Sequence, residues 1–135
     1  MGDATGFSQQ CSTDEQWFKQ ALQRQLIDLR RYDIPATVVT LTINPTLFTD
    51  VLLLVKCQIR GIDYLWDMPK NTEMKTICIL LPLTGAIKAI EFVKRIDELM
   101  QQQYGIDVID NSVRCETLEL NGKSNADELI GSLGK

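Results

Sequence analysis

Two four-residue stretches of the 135-residue chain carry the pattern Arg-x-x-Asp: Arg30-Arg31-Tyr32-Asp33 and Arg60-Gly61-Ile62-Asp63. A guanidinium is planar and always charged, so it can grip paired acceptors on a ligand, while a nearby carboxylate accepts from N–H donors. The same pattern also serves as a plain ion pair where a helix ends, because a basic residue in the last turn complements the helix dipole and an Asp shortly after can pair with it. Spacing alone does not separate the two motifs. Arg95 is another cation of interest; taken by itself it reads as the i,i+4 partner of Glu91 on a solvated helix face. Trp66 and Asp67 are close to the second motif, with Trp66 expected in the core.

Most other chemistry is excluded. The chain has no histidine, which removes the usual general base, the usual activator of a Ser or Cys nucleophile and the commonest transition-metal ligand. Cys11, Cys57, Cys78 and Cys115 are scattered without a C-x-x-C pair, three of them in apolar segments where a thiol packs as a small hydrophobe, so a reducing compartment and no structural zinc are expected. Neither a phosphate-binding G-x-x-x-x-G-K-[ST] loop nor a G-x-G-x-x-G turn is present. A magnesium site needs carboxylates at strand ends, and the first long strand delivers Thr40, Thr42 and Asn44. Ser124 and Asp127 read as helix-capping residues. With a net charge of −4, the protein has no general attraction to polymeric nucleic acid or anionic lipid, so an anionic ligand must be held by a local cluster.

The elements that must position these groups follow from hydrophobic periodicity. Residues 1–12 are small and polar and read as a flexible tail or linker, ahead of one domain over 13–135. A helix that begins around Ser12-Thr13-Asp14-Glu15 and ends near Arg31 carries Trp17, Phe18, Ala21, Leu22, Gln25, Leu26 and Leu29 at spacings of three and four. "ATVVTLTI" (36–43) is a strand buried on both faces; Asn44 and Pro45 then open a helix over 45–60 that Gly61 ends. "DYLWDM" and "KTICILL" form a hairpin across "PKNTE". Thr84 caps the next helix, whose stripe Ile87, Ile90, Val93, Ile96 and Met100 faces the core while Lys88, Glu91, Lys94, Arg95 and Glu98 face out. Gly105 stops it, one or two strands follow in "IDVIDNSVRCETLEL", and "NADELIGSL" closes the chain as a helix. The class is α/β (α+β), a single domain whose central mixed, mainly antiparallel sheet is flanked by helices. No apolar run is long enough to span a bilayer.

Context separates the two motifs. Arg60-Gly-Ile-Asp63 stands between a helix and a hairpin whose second strand ends in "ILLPLT", followed by a helix carrying "VKRIDEL" and later by "ADELI". From about residue 14 to 133 this arrangement resembles the GGDEF domain family, whose inhibitory site for cyclic di-GMP is an R-x-x-D before the signature hairpin, completed by an Arg on the next helix. The signature would begin at Pro69, where the chain reads Pro69-Lys-Asn-Thr-Glu73, and Thr42 or Asn44 stands where that family has its metal-binding Asp. The hairpin is also longer than the family's. Catalysis is therefore doubly disabled, and the chain is similar to the degenerate, receptor branch of the family: PelD-like domains of Pel exopolysaccharide export, with BcsE-like domains of cellulose secretion as neighbours. There the second arginine lies about 35 residues after the first, which is the spacing from Arg60 to Arg95.

The resemblance implies a non-catalytic cyclic di-GMP receptor that regulates exopolysaccharide biosynthesis and export, with no enzyme activity, no metal and no cofactor. Arg60 and Arg95 would hold guanine or phosphate, Asp63 would accept from the guanine Watson-Crick edge, and Gly61 would keep the approach clear. It implies exopolysaccharide secretion proteins as partners and allows a homodimer. It places the chain in the cytoplasm as a domain of an inner-membrane protein, with the membrane reached only through regions outside this chain. A protein-interaction or dimerisation module on the same fold is the alternative, and an active nucleotide cyclase a third.

Overall fold

The computed structural model describes residues 11–12, 14–68, 73–105 and 112–133. Asp14 opens helix α1 (Glu15–Tyr32): its side chain accepts from the Gln16 backbone N–H at 2.9 Å, and Phe18, Ala21, Leu22 and Leu26 follow on one buried face. Asp33 closes the helix in a left-handed conformation, φ 58°, its N–H donating to the Leu29 carbonyl.

Strand β2 (Ala36–Ile43) is the middle of the sheet. It pairs antiparallel with β4 (Lys75–Pro82), Ala36 opposite Pro82 through Ile43 opposite Lys75, and with β5 (Val113–Glu119), Thr37 opposite Glu119 through Ile43 opposite Val113. Strand β3 (Tyr64–Met68) pairs antiparallel with the other side of β4. Cys11 and Ser12, read from sequence as tail, add a two-residue strand β1 parallel to β3, which gives the order β1-β3-β4-β2-β5 and the mixed, mainly antiparallel sheet expected.

Side chains alternate across the sheet, and both faces are covered. Val39, Leu41, Leu65, Ile77, Ile79 and Leu81 pack on helices α2 (Pro45–Gln58) and α3 (Ala86–Tyr104). Val38, Trp66, Met68, Cys78 and Leu80 pack on α1 and the last helix, α4 (Ala126–Leu133), with Trp66 stacked on Phe18 at 5.1 Å. The domain is thus an α+β layer structure in which the site-bearing α2 and α3 share one face.

Several boundaries differ from those read in the sequence. Helix α2 stops at Gln58, not 60: Ile59 is already extended, and Gly61 sits in the turn beyond rather than ending the helix. Helix α3 is capped at Gly85, not Thr84; the Glu119 carboxylate of β5 accepts from the Ala86 N–H at 3.0 Å. Its buried stripe is Ala89, Phe92, Ile96 and Met100, leaving Ile87 and Ile90 76% and 57% exposed. Ala89, Phe92, Ile96 and Met100 recur at spacings of three and four on one face of the helix, and this face rather than the one bearing Ile87 and Ile90 is turned to the sheet. Helix α4 is capped by the Asn125 side chain, which accepts from the Asp127 and Glu128 N–H groups; Ser124 instead accepts from the Asn121 N–H, and Asp127 pairs with Lys19 of α1. Cys78 is buried, while Cys57 and Cys115 are exposed. The expected hairpin turn at 69–72 and any strand within 106–111 lie outside the described residues.

Candidate ligand-binding site

The chain leaves α2, makes one tight turn and enters β3, and the Arg60-x-x-Asp63 motif is that turn. Its backbone closes on itself: the Asp63 N–H donates to the Arg60 carbonyl at 3.0 Å, and the Arg60 N–H donates to Asp63 Oδ2 at 2.6 Å. The side chains close over it. Arg60 Nε donates to Asp63 Oδ1 and Oδ2 at 3.1 and 3.2 Å, and Nη2 to Oδ1 at 2.8 Å. The Asp63 side chain is 1% exposed and that of Arg60 48%, so the carboxylate is the buried member and the guanidinium reaches out over it.

The junction between β4 and α3 fixes the fork from the other side. Nη2 also donates to the Pro82 carbonyl at 2.8 Å and to Thr84 Oγ1 at 2.9 Å. Thr84 is itself held: its hydroxyl donates to the Pro82 carbonyl, its carbonyl accepts from the buried Thr37 hydroxyl at 2.9 Å, and its N–H donates to the Pro35 carbonyl. Leu83, a non-glycine residue at φ 58°, makes the sharp bend that brings Pro82 and Thr84 together. Among the described residues no hydrogen bond engages Nη1.

Arg30-x-x-Asp33 has the same spacing and a different structure. Arg30 donates from Nε to the Gly122 carbonyl at 3.1 Å and from Nη2 to the Ser124 carbonyl, tying α1 to the loop before α4, while Asp33 terminates the helix. The expected pairing within this motif does not form, because the carbonyls of the 121–125 loop capture the guanidinium. Arg30→Ala should therefore lower stability by about 1 kcal/mol. It should leave ligand affinity at the other site unchanged, as thermal melts and a titration of the same variant would record.

An open cavity of about 170 Å³ lies between the Arg60–Asp63 pair and α3. Gln58, Leu81 and Phe92 give it an apolar and amide lining, Thr84 lies beside the pair, and Lys88, Glu91 and Arg95 form the α3 wall. Arg95 is thus brought to the same cavity as Arg60 and Asp63. It is exposed, its guanidinium 6.0 Å from the Phe92 ring centroid, and among the described residues no ion pair joins it to Glu91. Gly61 lies in the exposed turn between the two charged residues and adds no wall to the cavity.

Sequence reasoning placed Lys88 on the solvent face and Thr84 at a helix cap, and missed both as site residues. For Lys88 a signal existed, since 88 and 95 are seven apart and share a helix face. For Thr84 there was none, because its role depends on a loop bringing it over Arg60. Trp66 is excluded by strand alternation: it points to the α1 side and packs on Phe18. Asp67 lies farther along β3; burial pushes its carboxyl above 3.8, against the pull of Lys75 and Lys56.

Among the described residues no group of three His, Cys, Asp or Glu side chains could hold a metal. Thr42 is flanked in register by Thr76 and Arg114, and the Asn44 side chain is occupied in capping α2 through the Thr46 N–H and hydroxyl. A cation and hydroxyl groups therefore stand where metal-binding carboxylates would be needed.

Residues 12–134 match the family model described as the PelD GGDEF domain. No curated protein sequence matches the chain. Among solved structures, PelD from Pseudomonas aeruginosa PAO1 aligns with a TM-score of 0.74 and 25% identity over 90% of this chain and 44% of that one. PelD from the same strain in complex with c-di-GMP aligns at 0.74 and 24% over 91% and 46%. PelD from Pseudomonas aeruginosa PA14 in complex with c-di-GMP aligns at 0.72 and 25% over 86% and 43%. The chain spans less than half the length of those structures.

Proposed function

The chain belongs to the PelD GGDEF domain family, and from that premise we propose that it is a non-catalytic cyclic di-GMP receptor domain whose ligand sits on Arg60, Asp63 and Arg95. The observation that carries this reading is the convergence on one cavity of the Arg60–Asp63 pair, with its buried carboxylate, and of Arg95, which no ion pair engages among the described residues, in a family with PelD relatives solved in complex with c-di-GMP. Cyclic di-GMP presents guanine O6 and N7, a planar acceptor pair that a guanidinium can grip, together with two phosphate charges. The free edge of Arg60 and the solvated Arg95 meet those groups. As Arg60 turns toward the ligand, Asp63 exchanges part of that contact for guanine N1–H and N2–H. The cavity is small for a whole dinucleotide and suits one base, with the phosphates at its mouth. Gly61 leaves that mouth open.

The receptor passes its binding state to exopolysaccharide secretion proteins of the Pel type, as a cytoplasmic domain of an inner-membrane protein. Among the described residues no helix is long and apolar enough to cross a membrane.

Calorimetric titration with cyclic di-GMP tests the reading: saturable heat is expected, and its absence removes the ligand and leaves an interaction module on the same fold. Incubation with GTP and magnesium should yield no cyclic product, since carboxylates are missing from the strand end that would hold the metal. Turnover above buffer would overturn the non-catalytic assignment.

A further inference from the structure

We infer that Lys88 is a third cationic contact of this cavity, facing the second phosphate of a ligand that carries two; the inference rests on the receptor reading above. Arg60 and Asp63 are neutral as a unit, and Nε and Nη2 of Arg60 are already engaged by Asp63, Pro82 and Thr84. Positive charge for a dianion must therefore come from the α3 wall. Lys88 and Arg95 both line the cavity. They are seven residues apart, about 10 Å along the axis and nearly two full turns, so their side chains rise from one face of the helix. Both have long stems that let the charged heads converge on one ligand.

Glu91 lies between them, at i+3 from Lys88 and i−4 from Arg95, where an ion pair with either would be expected on a bare solvated face. Among the described residues neither pair forms; the ion pairs there are Lys19 with Asp127 and Arg60 with Asp63. Both α3 cations are therefore solvated and available. Lys88 also stands in the first turn of α3, where a cation opposes the helix dipole and lowers helix stability. Local stability does not account for a lysine there, whereas an arriving phosphate is attracted by the side chain and the dipole together. The cavity lining has three cations (Arg60, Lys88, Arg95) and two carboxylates (Asp63, Glu91), a net of +1; without Lys88 it would be 0.

Titration of the whole chain with cyclic di-GMP at low and high salt tests this. Lys88→Gln should weaken binding about tenfold and flatten its salt dependence, because one screened charge contact is gone. Lys88→Arg should keep most of the affinity. Lys94→Gln, on the same helix but off the cavity, should bind as the unsubstituted chain does. Cyclic GMP, with a single phosphate, should not distinguish Lys88→Gln from the unsubstituted chain. If the unsubstituted chain binds and Lys88→Gln matches it in affinity and salt slope, Lys88 is removed from the site while the receptor reading stands. An equal loss in Lys94→Gln removes it too, since the effect is then one of general charge. If the unsubstituted chain does not bind, both readings fall.

Discussion

Arg60→Ala is expected to weaken cyclic di-GMP binding about five- to more than a hundredfold and to destabilise the fold in the same stroke. A bidentate contact from a guanidinium to guanine is worth about 1 to 3 kcal/mol, a factor of about five to more than a hundred in affinity. The stability effect has a different origin. Asp63 is the buried partner, its side chain 1% exposed, and without the guanidinium its carboxylate keeps only the backbone N–H of residue 60. An uncompensated buried charge costs several kcal/mol; because the Arg60 side of the pair is half exposed, about 2 kcal/mol is the expected loss. Pro82 and Thr84 also lose their shared donor. Chemical denaturation read beside a calorimetric titration separates the two effects. Unchanged affinity in a folded Arg60→Ala variant would remove this site from the ligand.

Asp63→Ala should show the reverse balance: a large loss of affinity with a smaller loss of stability. The group left behind is a guanidinium already half in water, still bonded to the Pro82 carbonyl and the Thr84 hydroxyl, so about 1 kcal/mol of stability is at stake. For the ligand, two things disappear: the clamp on Arg60 Nε that aims the fork, and the acceptor for guanine N1–H and N2–H. About 1 to 3 kcal/mol of binding should go with them. The double variant Arg60→Ala/Asp63→Ala should be more stable than Arg60→Ala alone, because it no longer buries an unpaired carboxylate, and should bind no better than either single variant. A double variant less stable than both singles would mean that the two residues act independently of one another.

Much of the fold could be read along the chain. Strong alternation and β-branched runs placed β2, β3 and β4 to within a residue, and Asn44-Pro45 marked the start of α2. Errors clustered where a distant group decides a local question. Thr84 has the residue type of a helix cap, yet its hydroxyl goes to Pro82 and its oxygen takes Arg60, so the first amide of α3 is met by Glu119 from another strand. The stripe on α3 was read from isoleucines; the sheet beneath it accepts Phe92 instead and turns Ile87 and Ile90 outward. That same rotation turns Lys88, Glu91 and Arg95 toward the cavity.

By itself the sequence determined the class of the fold, the loss of catalytic carboxylates and the two arginine motifs, because these depend on residue type and short-range period. It could not choose between Arg30-x-x-Asp33 and Arg60-x-x-Asp63 on physical grounds, since an i,i+3 spacing is the same wherever it occurs. Tertiary structure decided that. At Arg30 the nearest acceptors are carbonyls of the 121–125 loop, so the arginine becomes a tie between elements. At Arg60 the turn buries Asp63 beneath the guanidinium and lays α3 alongside, so a carboxylate, an arginine fork and Arg95 share one cavity. Desolvation and proximity, which no spacing encodes, make the second motif a ligand-site candidate and leave the first a brace.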